Sequence, residues 1–204
     1  MSGGISEDQK VSLRFKSRLR QPFELEGILA PLNSKNGVDF PYTPTIGIGH
    51  SANFGSYDTT HSIYQPQYYV NTQNPSISLT STWTANSKDE AAYTAAALQF
   101  FKSCTKSEFG VSAGQRAGTP PPVLLLNAYG NLHIKDVPVV LATMNYNLTE
   151  DVDYVQVGDF SIPTSMLITL DLKIQQTPRN VRDNFDIRQY ANGGLLNKGK
   201  GGFM

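Results

Sequence analysis

The chain has 204 residues, of which 39% are hydrophobic, 10% aromatic and only 17% charged. That length fits one domain with extended tails, and the low charge is made up by Ser, Thr, Asn and Gly, a surface suited to protein–protein contact. A formal net charge of zero argues against a dedicated nucleic-acid binder. With no apolar leader segment and no run long enough to cross a bilayer, the expectation is a soluble protein, without membrane insertion, made in a reducing compartment.

The neutral total conceals an uneven distribution. Up to Arg20, the basic residues Lys10, Arg14, Lys16, Arg18 and Arg20 face Glu7 and Asp8. From Lys173 onward, Lys173, Arg179, Arg182, Arg188, Lys198 and Lys200 face Asp183 and Asp186. The two tails carry +3 and +4, leaving −7 for the segment between them. Basic tails of this kind seek an acidic partner or are simply solvated.

In chain order, Met1–Gly4 reads as mobile, and Val11-Ser-Leu-Arg-Phe-Lys alternates like a strand able to pair. A turn-rich stretch from Pro31 to Pro44 leads to a short strand at Thr45–Ile48. Gly47 to Gln65 is irregular and polar, a long loop of the kind that carries function or is ordered by a partner. Ser76 opens a strand with Ile77, Leu79 and Trp83 on one face and Ser78, Thr80, Thr82 and Thr84 on the other. Ser87 and Glu90 then form a capping box at the start of a helix expected over residues 87–106. Tyr93, Ala97, Phe100, Phe101 and Cys104 share one face of it. The lone Cys104 thus reads as a small buried hydrophobe rather than a nucleophile.

Gly110–Pro122 is a glycine- and proline-rich connection. A second strand group begins at Val123 and includes Val137–Leu148, with Val140, Ala142, Met144, Tyr146 and Leu148 expected inward. Met166–Ile174 alternates most cleanly, with Met166, Ile168, Leu170, Leu172 and Ile174 on one face. Strands joined by hairpins with polar outer faces imply antiparallel sheets packed as a barrel or sandwich. The tail from Thr177, with Gly193-Gly194 and Gly201-Gly202, is expected to be extended.

Catalytic and cofactor signals are missing. His50, His61 and His133 have no metal-ligand spacing, and no cofactor is implied. The glycines of residues 110–118 follow a helix and lack the Gly-Lys-Ser/Thr ending of a phosphate loop. Glu150, Asp151 and Asp153 lack the EF-hand pattern and read as a solvated turn. No nucleophile elbow occurs, so the expectation is a non-enzyme. Tyr57, Tyr64, Tyr68 and Tyr69 have the chemistry to stack bases or sugars. With no Lys or Arg between Lys35 and Lys88, the phosphate attraction that nucleic acid needs is missing there.

Several phrases together resemble the tail-tube-like baseplate proteins, tube initiator and tube cap, of contractile-tailed T4-like bacteriophages. They are Pro41-Tyr-Thr-Pro-Thr-Ile, Tyr69-Val-Asn-Thr, Ser76-Ile-Ser-Leu-Thr with the Asn86–Lys106 helix, Pro120-Pro-Pro-Val-Leu-Leu-Leu-Asn-Ala-Tyr-Gly, Val137-Pro-Val-Val, Asp151-Val-Asp-Tyr and Ile162-Pro-Thr-Ser-Met. They fall in order over about residues 40–190 in a chain that looks shorter than the T4 members. The resemblance implies a mainly β fold with one α-helix: a tail-tube-protein-like β-barrel of two packed antiparallel sheets, flanked by the helix. Residues 1–21 would be a basic arm, 22–176 the barrel domain and 177–204 an extended basic tail.

It further implies a homo-hexameric ring in the virion tail and baseplate, assembled in the bacterial cytoplasm, with DNA only in transit through its lumen. Its implied neighbours are the adjacent tail tube ring, the baseplate hub and wedge proteins, the sheath and the tape-measure protein. On that model Tyr93, Phe100, Phe101 and Cys104 pack the helix on the barrel. Arg14, Lys16, Arg18, Arg20, Tyr57, Tyr64, Tyr68, Arg179, Arg182 and Arg188 are candidate contacts between subunits. The alternatives are a bulk tail or secretion tube subunit and, from another class, a monomeric β-sandwich binding a carbohydrate or peptide at the tyrosine loop.

Overall fold

The computed structural model describes residues 10–16, 22–110, 117–130, 134–148, 150, 152–195 and 203. The chain opens with β1 (Ser12–Phe15), a 3-10 helix (Gly27–Lys35), β2 (Gly37–Asp39), β3 (Thr45–Gly49), β4 (Ala52–Ser56) and β5 (Gln67–Thr72). It continues with β6 (Ser76–Thr84), α1 (Lys88–Cys104), β7 (Leu124–Ala128), β8 (Ile134–Asn147), β9 (Tyr154–Val157) and β10 (Phe160–Pro163). Last come β11 (Ser165–Ile174), α2 (Pro178–Asn184) and α3 (Ile187–Ala191).

Seven strands form one antiparallel sheet in the order β2-β1-β7-β8-β11-β6-β3. β11 is its spine, pairing with β6 from Ser165↔Thr84 to Lys173↔Ser76 and with β8 from Leu167↔Asn147 to Ile174↔Val139. Period-two alternation puts Met166, Ile168, Leu170, Leu172 and Ile174 on the same buried face as Ile77, Leu79 and Trp83. Against that face lies α1, whose Ala91, Ala95, Ala96 and Ala97 allow close approach while Phe100, Phe101 and Cys104 fill the core. Its start is fixed as the sequence implies: Ser87 Oγ accepts from Glu90 N at 3.3 Å. Glu90 Oε2 reaches one residue further back than a standard box, accepting from Asn86 N at 2.8 Å. At the far edge, Gly37 lets β2 close on β1, for a Cβ there would meet Leu13 O at 2.2 Å.

The expected barrel of two packed sheets does not form. The seven-stranded sheet stays open, with β2 and β3 as its edges and no ladder joining them. Residues 40–44 span the gap with side chains instead: Phe40 packs edge-on against Trp83, and Tyr42 Oη bonds Thr84 Oγ1 at 2.9 Å. Tyr129 Oη donates to Pro44 O at 3.2 Å. Pro41 and Pro44 have no N–H, so this connection cannot itself continue as a ladder strand. The rest of the β structure is two separate two-stranded ribbons, β9–β10 beside α1 and β4–β5 away from the body.

The single-helix expectation is corrected too, since four helices occur among the described residues. α2 starts at Thr177, whose Oγ1 accepts from Asn180 N, with Pro178 in the first turn, and α3 at Asp186, which accepts from Arg188 N. The chain after Thr177 is therefore helical over much of its described length rather than extended.

β8 does not keep one inward face. Val137, Val139 and Leu141 are buried, Ala142 and Thr143 both face outward, and Met144 is half-buried. The register with β11 shifts there, Leu172 facing Leu141 while Asp171 faces Thr143. This bulge at Ala142 interrupts the alternation, and of the expected inward set Val140 and Met144 are half-buried while Ala142, Tyr146 and Leu148 are exposed.

Candidate assembly surface

The segment read as an irregular loop contains a β-hairpin. β4 pairs with β5 from Ala52↔Thr72 to Ser56↔Gln67, with a register shift between Asn53 and Phe54. Its base is held by amides: Asn53 Nδ2 donates to Asn71 Oδ1 at 2.9 Å, and Gln73 Nε2 to Asn53 Oδ1 at 3.2 Å. Every residue of β5 is exposed, and its two strands make their substantial contacts only with each other. No core face therefore imposed an apolar alternation that could have marked the strands. The β-favouring run Tyr68-Tyr69-Val70 was the available signal.

The hairpin displays Phe54, Tyr57, Tyr68, Tyr69 and Val70, and at its tip Ile63 and Tyr64, 92% and 84% exposed. The rings are already arranged. Tyr57 and Tyr68 lie 4.6 Å apart between centroids, and Phe54 and Tyr69 5.9 Å apart edge-on. Gly55 makes room for this, since a Cβ there would come within 2.5 Å of Tyr68 Cζ. The ribbon thus carries a patch of large, exposed aromatic and apolar side chains whose rings are already ordered against one another.

The other candidates are spread widely. Arg14 lies in β1, where its Nη2 pairs with Asp39 Oδ1 at 2.8 Å within the subunit. Lys16 is exposed just after that strand, while Arg18 and Arg20 lie outside the described residues. Arg179 and Arg182 on α2 both pair with Asp183, and Arg188 sits on α3. Tyr57, Tyr64 and Tyr68 are thus brought together on the hairpin, away from Arg14. His50 and His61 are exposed, and His133 and Asp151 fall outside the described residues. Among the described residues no three His, Cys, Asp or Glu side chains group as a metal site, and no helix is long and apolar enough to cross a membrane.

Cys104 is fully buried, and burial pushes its thiol well above the usual range, away from the reactive thiolate. Tyr93 stacks on Trp83 and ties α1 to the sheet edge, its Oη donating to Asp39 O at 2.9 Å and accepting from Asp39 N at 2.8 Å. Burial pushes its phenol up to about 12, opposed by the Asp39 N–H bond and the Arg14 guanidinium and reinforced by the Asp39 carboxylate. The phenol keeps its proton in the fold when an unfolded tyrosine has lost it. Stability from this group is therefore complete below about pH 10 and declines as pH rises towards 12. Urea titrations across that window should show an alkaline loss for the natural protein and a smaller one for Tyr93→Phe.

No family model and no curated protein matches the chain. Among solved structures, it is similar to a chain from the "tail of empty GTA particle computed with helical refinement, C6 symmetry". The identity is 11% and the TM-score 0.34, with 85% of this chain and 95% of that chain covered. The likeness is weak, and the surface described above stands on its own residues.

Proposed function

We propose that this protein is a structural, non-catalytic subunit of a phage-type tail, closing as a homo-hexameric ring that initiates or caps the tail tube where it meets the baseplate. The observation that carries the reading is the β4–β5 hairpin, whose ordered aromatic surface is left without a partner in the single subunit. The unpaired edges β2 and β3 supply further backbone donors and acceptors for ring closure. The ordered phrases over residues 40–190 agree with it. In this role the chain acts as a template, because a preformed ring lowers the entropic cost of adding the next one.

A second form of the same reading, a repeated tube subunit, is favoured by the contrast between Arg179, Arg182 and Arg188 on α2 and α3, beyond the last residue of β11, and the exposed Asp89, Glu150 and Asp153 near its first. Electron microscopy of the purified full-length chain tests the common part. Rings with six-fold averages are expected, and a protein that stays monomeric at high concentration would overturn it.

A further inference from the structure

β6 and β11 run antiparallel side by side, so their termini define two ends of the sheet. At the end where β6 starts and β11 finishes, Asn74 Nδ2 donates to Ile174 O at 3.2 Å. The base of the β4–β5 hairpin and the start of the C-terminal helical segment are thereby tied together. The C-terminal segment, like the hairpin, makes at most sparse contact with any other element. Its Phe185 ring packs with Tyr190 and Phe203, while Val181 and Ile187 remain exposed among Arg179, Arg182 and Arg188. With Asp183 and Asp186 set against the three arginines, this end is apolar and net basic. The two ion pairs of α2 both use Asp183, so one carboxylate serves two guanidinium groups.

The other end, where β6 finishes and β11 begins, has the opposite character. Ala85 N donates to Thr164 O and Thr164 N to Asp153 O, which gathers the start of α1, the segment after β8 and the β9–β10 ribbon at one place. Asp89, Glu90, Glu150 and Asp153 are exposed there beside the cation Lys88, while Asp159 lies at the far tip of the β9–β10 ribbon. So are the apolar side chains Leu148 and Tyr154. This end is apolar and acidic.

We infer that the basic C-terminal helical segment of one copy docks on the acidic end of a second copy, head to tail along the strand direction. The inference rests on the ring-subunit reading in its repeated form and gives the stack its polarity. Such a contact uses two different surfaces of one chain, so directed along the stacking axis it repeats from copy to copy. Charge complementarity selects this orientation over head-to-head, where like charges meet.

The test is a charge swap on the full chain followed by sedimentation velocity. Arg179→Glu/Arg182→Glu/Arg188→Glu reverses the basic end, and Glu150→Lys/Asp153→Lys the acidic end. Each variant alone should associate at least about tenfold more weakly than the natural chain. An equimolar mixture should recover the loss, because each supplies the end that the other needs. The recovered complex should weaken as salt rises from roughly 0.05 to roughly 0.5 M. Unchanged association of the single variants, or a mixture that does no better than its components, overturns the inference. Flat six-fold rings that fail to stack in either variant would leave the ring reading standing. A mixture that pairs without any ring would support the docking and sink the ring.

Discussion

Phe101→Ala should destabilise the protein by about 4 kcal/mol, the upper range for removing a fully buried aromatic ring. Phe101 has no exposed surface, and it touches Phe40 at 6.1 Å, Trp83 at 6.4 Å and Phe100 at 5.9 Å between ring centroids. These partners come from the connection after β2, from β6 and from α1 itself, so the ring joins three parts that the open sheet does not join by hydrogen bonds. The cavity left behind would be lined by Phe40, Trp83 and Phe100, three large rings from separate parts of the fold. Against a total stability on the order of 5–15 kcal/mol, the loss is large enough to move the urea midpoint visibly. Phe101→Leu, which keeps most of the volume, should cost about 1.5 kcal/mol or less. An alanine variant within about 1 kcal/mol of the natural chain would mean that α1 is not keyed into the sheet.

Replacing Tyr57, Tyr64, Tyr68 and Tyr69 together by Ser should have the opposite profile. Because the hairpin strands make their substantial contacts only with each other, global stability should change by only about 0.5 kcal/mol. Assembly, by contrast, should be lost, with association weakened on the order of a hundredfold, as expected when several central aromatic anchors are removed. Sedimentation and a parallel urea titration separate the two effects. A glycan- or peptide-binding module would instead keep its association state and lose a ligand.

Much of the core was legible because period-two and helical patterns coincide with real faces. Ile77, Leu79 and Trp83, the even-numbered set of β11 and the Phe100/Phe101/Cys104 face of α1 all point where their spacing places them. Pattern reading failed where a physical constraint was local or missing. In β8 a single extra residue, Ala142, interrupted the alternation. In the β4–β5 ribbon no core lies beneath either face, so nothing selected for alternation. α2 and α3 carried capping signals at Thr177 and Asp186, but with no buried face their lengths were too short to register. The openness of the sheet depends on edges that are distant in sequence and on prolines between them, which alternation does not encode. The aromatic candidates of the surface were readable as a cluster of tyrosines, and the hairpin that orients them was not.

The strand order also sets a timetable. β11 joins the β2-β1-β7-β8 part to the β6–β3 pair, yet it is the last strand of the sheet to be synthesised. β1 is held in the same way, since Leu13 waits for Leu126. At ordinary translation speeds, on the order of ten seconds separates completion of β6 from completion of β11. Until then α1 can already pack on the 3-10 helix and on Phe15, Phe23 and Phe40, all synthesised before it, while β6 still lacks its β11 neighbour. Once β11 is available, pairing partners so distant along the chain favours folding in milliseconds to seconds rather than microseconds. The first half of the chain can therefore bury much of the α1 face at birth, and what waits for the central strand is the open edge of β6.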